Sequence, residues 1–319
     1  MSRFYSYINT AKVILSDYDG DRPFSLFLKD FFKQHKKHGS TDRKQIAHLC
    51  YCYFRLGKAG KSIQPADRII TALFLCSTYP NKILSEVAPE LNDSVHLSLE
   101  EKLNKIKFPL HAEDIFPWKD QLSTGIEHTS FAMSHLRQPD LYLRIRPGFE
   151  GMVEKKLAAA NITFSHVYEH CLSLDNSSKL DDVIELDKEA VVQDLNSQRV
   201  GEMVPLTIKE QPLKIWDCCA ASGGKSILFH DMFPAAKLTV SDIRNFILNN
   251  LAKRFQQAGI TGYRSIIADL TTGESRLPAT KYDLVICDAP CTGSGTWGRT
   301  PEQLYFFDEI GRASCRERV

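Results

Sequence analysis

From Leu213 onward the chain alternates short apolar runs with helical periods, and this alternation constrains the fold more than any other feature. Strand signals fall at Leu213–Trp216, Lys237–Val240, Tyr263–Ala268 and Tyr282–Cys287, with helical periods after Gly224 and over Arg244–Ala258. Parallel neighbours can be joined only by crossovers, so the pattern reads as βαβ units and the region as α/β. Ligands of such sheets bind outside the carboxyl ends of the strands. Asp217, Asp242, Asp269 and Asp288 each stand at or just past such an end, so four carboxylates are expected to line one crevice. Capping of a following helix explains any one strand-end aspartate. Four of them beside a Gly-Gly turn are harder to dismiss in that way.

The turn is Gly223-Gly224, which allows close backbone approach and aims free N–H groups at an anionic part of a ligand. A P-loop would need glycine five positions before Gly224, where the chain has Cys219, and Ala221-Ser222-Gly223-Gly224 lacks the dinucleotide fingerprint. Asp242 is placed to accept from both hydroxyls of a ribose, and Asp269 to meet an adenine amino group. Many carboxylates without a phosphate cradle favour a cationic adenosine ligand, which describes S-adenosylmethionine. The last strand ends in Asp288-Ala289-Pro290-Cys291, where Pro290 stops the ladder and restricts Ala289, holding a carboxylate and a thiol in place.

Upstream, an all-α module is expected over residues 1–127. Pro23 opens a helix whose Phe24, Phe27, Leu28, Phe31 and Phe32 share one face, ending in the basic cluster Lys33, His35, Lys36, Lys37 and His38. Asp42 reads as the N-cap of the next helix, with Gln45 three residues on and Ile46, Leu49, Cys50, Tyr53 and Phe54 buried. A third helix starts near Pro65 and buries Ile69, Ile70, Leu73 and Phe74, while the stretch after Pro80 is the least legible. The aromatic stripe is core. The basic helix end is open to two readings, a solvated terminus or a phosphate contact.

A small α+β unit is expected over 128–200. At Leu141–Arg146 the period changes to two, setting Tyr142, Arg144 and Arg146 on a face opposite the aliphatic residues. A helix over Phe149–Ala160 and strands near Cys171–Leu174 and Val183–Leu186 follow. An arginine-bearing sheet face suits RNA, and solvent-facing arginines on any sheet would look the same.

Composition removes some alternatives. No apolar run approaches the ~20 residues of a spanning helix, and the N-terminus lacks a secretory apolar stretch, so a cytoplasmic protein without membrane partners is expected. The nine cysteines lie mostly on apolar elements, as for reduced thiols, and their spacings do not suggest a metal site. Forty Lys and Arg against 39 Asp and Glu leave a formal charge of +1, so any nucleic acid must be held by local patches.

The sequence resembles the RNA cytosine-5 methyltransferases of the RsmB/Nop/Sun kind over most of its length. Asp217-Cys218-Cys219-Ala220-Ala221-Ser222-Gly223-Gly224-Lys225 is similar to the family's cofactor loop, and Asp288-Ala289-Pro290-Cys291-Thr292-Gly293-Ser294-Gly295 to its proline-cysteine motif. Val192–Gln198 resembles the segment leading into the catalytic domain, and the helices around Asp42-Arg43 resemble a NusB-like RNA-binding module. The resemblance implies an incomplete class I methyltransferase Rossmann-like domain over 201–310, after the NusB-like module and an RRM-like α+β unit. It implies S-adenosylmethionine held by Cys219, Ala220, Ala221, Ser222, Gly223, Gly224, Lys225, Asp242, Asp269 and Asp288. RNA is the implied partner, ribosomal or transfer RNA, with the oligomeric state open. Cytosine C5 becomes nucleophilic only after a thiolate adds at C6, and the base must leave its stack to be reached.

Two departures from the family matter. Ser222 stands where the family usually has proline, which is expected to loosen the loop slightly. Cys291 matches the family cysteine assigned to product release, while the family nucleophile lies on a following strand that this sequence does not show. Thr300-Pro301-Glu302-Gln303 begins a helix, and the polar, basic residues 311–319 do not resemble the family and read as a foreign end on a truncated chain. Cys315 has no apolar strand to hold it and is a poor replacement nucleophile. An inactive form is therefore expected of an enzyme that methylates RNA at cytosine C5. The rival reading is a module that binds RNA and S-adenosylmethionine without chemistry. Methyl transfer to a metabolite fits the long N-terminal extension less well.

Overall fold

The computed structural model describes residues 3–204, 213–272, 280–289 and 291–308. These divide into two units, 3–139 with 291–308, and 140–289. The first is helical. Its core is built by α1 (Arg3–Asp17), α2 (Phe24–Gln34), α3 (Ser40–Arg55) and α4 (Pro65–Cys76), which bury Ile14, Phe24, Leu28, Ile46, Phe54, Ile69 and Leu73 as the helical period requires. Asp42 does not cap α3 as expected. The helix starts earlier, at Ser40, and Asp42 in its first turn accepts from Gly39 N at 2.9 Å while also pairing with Arg3 and Tyr7.

The stretch after Pro80 folds as short helices, α5 (Lys82–Val87), α6 (Pro89–Asn92), α7 (Leu99–Lys105) and α8 (His128–Ser134). Each is too short to display a periodic face, which is why the sequence was hard to read there. Local caps mark them instead: Asn81 Oδ1 accepts from Leu84 N at 3.0 Å, and Glu127 accepts from Thr129 N and Ser130 N.

The second unit begins with β1 (Leu141–Ile145), α9 (Glu150–Ala159), β2 (Phe164–Tyr168), β3 (Cys171–Leu174) and β4 (Ala190–Val192), followed by the short α10 (Leu195–Arg199). The strands form an antiparallel sheet in the order β2-β3-β1-β4. The strand expected over Val183–Leu186 is a turn with one bridge, Leu186 to Ala190. Asp187 there has φ +65°, which breaks an extended run, and the pairing strand starts at Ala190.

The arginine face of β1 is also corrected. Arg144 and Arg146 are 4% and 8% exposed, and both bind Asp231: Arg144 Nη1 at 2.6 Å from Oδ2, Arg146 Nη2 at 2.7 Å from Oδ1. They are buried ion-pair partners and not a solvent-facing surface for RNA. Alternation places them on this side of the strand, but a local period carries no sign of the later helix whose Asp231 pairs with them there.

The second sheet is formed by β5 (Lys214–Asp217), β6 (Lys237–Asp242), β7 (Arg264–Ile267) and β8 (Leu284–Ile286), with α11 (Gly224–Met232) and α12 (Asn245–Ala258) between the first three strands. All pairings are parallel and the order is β7-β6-β5-β8. Ile215, Leu238, Val240 and Ile286 face Phe229, Leu251 and Phe255 in one core. The order reverses at β5, so a crevice opens between the carboxyl ends of β5 and β8.

Residues 291–308, read from sequence as part of the sheet region, belong to the helical unit. Trp297 and Leu304 lie in its core, and α13 (Pro301–Phe306) packs Tyr305 and Phe306 on Phe54. Lys58 Nζ donates to Tyr305 O at 2.7 Å and Arg55 Nη2 to Gly298 O at 2.9 Å. Trp297, Tyr305 and Phe306 explain the assignment, since each finds aromatic partners within the helical unit, and Leu304 is buried beside them.

Candidate functional site

The crevice starts from the chain leaving β5. Ala221 has φ +45° and Gly223 φ +84°, so the backbone passes twice through the left-handed region before α11 begins. Only Gly223 needs its missing side chain, since a Cβ there would meet Phe255 Cε1 at 2.9 Å and Leu251 Cγ at 3.0 Å. A Cβ at Gly224 would come no nearer to its neighbours than 3.9 Å, an ordinary contact with Arg254 Nη1. Ala220 N donates to Ser241 O at 2.8 Å and Ala221 N to Asp242 Oδ2 at 3.1 Å, tying the turn to the end of β6.

A cavity of about 170 Å³ lies at this turn, lined by Gln193, Ser197, Asp217, Cys219, Ala220, Ala221, Ser222, Gly224, Lys225 and Asp288. Apart from Gly223, which is not in the lining, the expected loop residues are thus brought together with two of the four strand-end carboxylates. Asp217 is 1% exposed, and its Oδ2 accepts from Ser226 Oγ at 2.6 Å while Oδ1 has no hydrogen-bond partner. Burial pushes its pKa up to about 6, an effect that Ser226 and Lys225 oppose and Asp288 reinforces. Lys225 Nζ lies 2.6 Å from Asp288 Oδ2.

The other two carboxylates do not line this cavity. Asp242 is committed to bracing: besides Ala221 N it accepts from Arg244 N and Nε, both at 3.0 Å. Burial, the largest single influence, raises its pKa, but the Arg244 side-chain and backbone bonds together hold it below the ordinary value. Asp269 closes its own turn, accepting from Thr271 N at 2.9 Å and Thr271 Oγ1 at 2.7 Å, and these bonds lower its pKa. The expectation of four carboxylates lining one crevice therefore holds for Asp217 and Asp288 alone.

Three thiols collect at the strand ends. Cys218 is buried and its pKa is pushed up to about 12, by burial first and then by its contact with Cys287. Burial also raises Cys219, which lines the cavity. Raised thiols are poor nucleophiles at neutral pH. Cys291 is exposed in the helical unit, with Gly293 N donating to its Sγ at 3.5 Å. Pro290 and the residues 309–319, with Cys315, lie outside the described residues. Among the described residues no group of His, Cys, Asp and Glu gathers to hold a metal, and no helix is long and apolar enough to cross a membrane.

Sequence reasoning missed several residues that shape the site. Arg254 on α12 donates from Nη1 to Ser222 O at 3.0 Å and Ser222 Oγ at 3.1 Å, so the serine is gripped instead of loosening the turn. Gln193 Nε2 reaches Gly224 O at 3.4 Å, and its Oε1 accepts from Arg144 Nε at 3.0 Å. Trp216 Nε1 donates to Ser241 Oγ, which donates to Cys218 O. None of these residue types carries a spacing signal; only the fold brings them to the turn.

Comparison with known proteins supports the reading of the sheet. Residues 203–306 match the family model described as 16S rRNA methyltransferase RsmB/F. A Synechocystis protein named probable ribosomal RNA small subunit methyltransferase B is 29% identical over 213 residues, 63% of this chain and 47% of that protein. The ribosomal RNA small subunit methyltransferase B of Xylella fastidiosa is 29% identical over 116 residues, 36% of this chain and 27% of its own length. The chain thus spans about half or less of the length of these relatives. The crystal structure of PH0851 shares the fold at a TM-score of 0.58 and 16% identity, covering 98% of this chain and 78% of that one. The parallel sheet accordingly fits a class I methyltransferase fold, and residues 203–306 are similar to the RsmB/F methyltransferase domain.

Proposed function

We propose that the 140–289 unit binds S-adenosylmethionine and is part of an enzyme that transfers the methyl group to C5 of a cytosine in RNA, with ribosomal RNA as the substrate. The observation that carries this reading is the unpaired, buried Asp217 oxygen in the cavity at the point where the strand order reverses. An ionised carboxylate in such a place is relieved by a cationic group, which the amino acid end of S-adenosylmethionine supplies. The cavity is smaller than the ~300–1,000 Å³ usual for whole ligands. It suits the methionine portion, with the ribose at Asp242 and the adenine toward Asp269.

The cofactor, when bound, supplies an electrophilic methyl on a sulfonium. Gly223, Gly224 and Lys225 would hold its carboxylate at the start of α11, while Cys219, Ala220, Ala221, Ser222 and Asp288 would complete the wall. Cys291 is assigned to product release, in keeping with an exposed thiol that receives a backbone N–H. We assign RNA contact to the helical unit as a NusB-like module, using its exposed Lys33, Lys36 and Lys37, in a cytoplasmic protein.

The test is incubation of labelled S-adenosylmethionine and unmodified ribosomal RNA with this chain extended through the length of the Synechocystis relative. The product nucleosides are then separated. Label in 5-methylcytidine supports the reading; label on an exocyclic amine, or none on RNA, overturns it.

A further inference from the structure

The turn between Ala220 and Gly224 needs support from outside itself. Ala221 sits at φ +45° without being glycine, a conformation that strains an L-residue. Its own hydrogen bonds secure Ala220, Ala221 and Gly223, but Ser222 O and Oγ both depend on one donor, Arg254 Nη1. The rest of that guanidinium is fixed as a fork: Nε lies 2.8 Å from Asp187 Oδ2 and Nη2 2.6 Å from Asp187 Oδ1.

Asp187 is itself anchored. It is 8% exposed, stands in the left-handed region at φ +65°, and its N–H donates to Ala190 O at 2.8 Å. The path therefore runs from the start of β4, through a bidentate ion pair on α12, to the serine in the wall of the cavity. A lysine could meet either end of this path but not both, because it lacks the planar fork.

We propose that Arg254, oriented by Asp187, is a positioning residue that holds the Ser222 turn in its ligand-binding shape, so that the antiparallel region tunes the affinity of the cofactor cavity. This inference rests on the proposed function for the identity of the ligand. It goes beyond that reading by giving the 140–204 region a role in cofactor affinity.

The experiment is calorimetric titration of S-adenosylhomocysteine into the full chain, with amide exchange at Gly223 and Gly224 followed in parallel. Arg254→Gln and Arg254→Lys are both expected to raise Kd about tenfold, the equivalent of ~1.4 kcal/mol of lost preorganisation. Ser222→Ala, which leaves the Arg254–Asp187 pair intact, is expected to raise it two- to threefold, roughly the loss of one weak hydrogen bond. Leu157→Ala, in the core of the antiparallel sheet, is the control for general destabilisation and should leave Kd within about twofold. Exchange at the turn should quicken in Arg254→Gln and not in Leu157→Ala. The inference is overturned if Arg254→Gln binds like the wild type, or if Leu157→Ala loses as much affinity. No binding by the wild-type chain would overturn the proposed function instead, and turn exchange unchanged in Arg254→Gln would still overturn the positioning role.

Discussion

Lys225 Nζ lies 2.6 Å from Asp288 Oδ2, joining the first turn of α11 to the end of β8 across the point where the strand order reverses. This pair acts on a third residue: Lys225 favours the charged form of Asp217 and Asp288 disfavours it. The cavity is thus an electrostatic set in which one lysine serves two carboxylates.

Removing that lysine should cost little stability. Asp288 is more than half exposed, so Lys225→Met is expected to lower unfolding free energy by at most about 1 kcal/mol in urea denaturation. The apparent pKa of Asp217 should rise further, because Asp288 then acts on it unopposed. Carboxyl carbon shifts in an NMR titration would report a fall or no change if the two carboxylates do not interact.

Asp217 should also govern stability in mild acid. Its folded pKa, about 6, lies above the ordinary 3.8, so the folded state holds the proton more tightly than the unfolded chain. The stabilisation is fully present below about pH 4, declines as pH rises through the window to about 6, and is absent above it, an effect on the order of 3 kcal/mol. Urea denaturation between pH 4 and 7 should show this fall in the wild type and a flatter profile in Asp217→Asn. Parallel profiles would remove Asp217 as the cause.

The adjacent glycines of the turn should differ sharply. Gly223→Ala combines a left-handed backbone with contacts on Phe255 and Leu251, and is expected to cost roughly 2–4 kcal/mol. Gly224→Ala makes only an ordinary contact, 3.9 Å from Arg254 Nη1, and should stay within about 0.5 kcal/mol of wild type. Equal effects in chemical denaturation would contradict the geometry.

The buried arginines give a stability test of their own. Asp231→Ala leaves Arg144 and Arg146 without their carboxylate and is expected to cost about 3–5 kcal/mol. A change below 1 kcal/mol would mean that the arginines reach solvent, as a surface for RNA would require.

What the sequence revealed and what it hid have physical causes. The four parallel strands were legible because each apolar run ends abruptly at an aspartate or just before one, and Gly223-Gly224 marks the turn between strand and helix. Alternation placed Arg144 and Arg146 on the side of β1 away from its aliphatic residues, yet their partner Asp231 lies more than eighty residues on, beyond any local pattern. Asp242 was found, but its bracing of Ala221 and its Arg244 clamp depend on rotamers that spacing does not encode. The segment after Cys291 looked continuous with the sheet because it follows β8 in sequence. Its aromatic residues, Trp297, Tyr305 and Phe306, find their partners among the helices.

The most direct test of the account is to map ligand-induced amide shifts on the isotope-labelled chain as S-adenosylhomocysteine is added. Saturable shifts are expected at Cys219, Gly223, Gly224, Lys225 and Asp288, around the cavity between the ends of β5 and β8. Shifts confined to the separate surface hollow at Asp181, Glu185 and Lys188, or none at millimolar ligand, would contradict it.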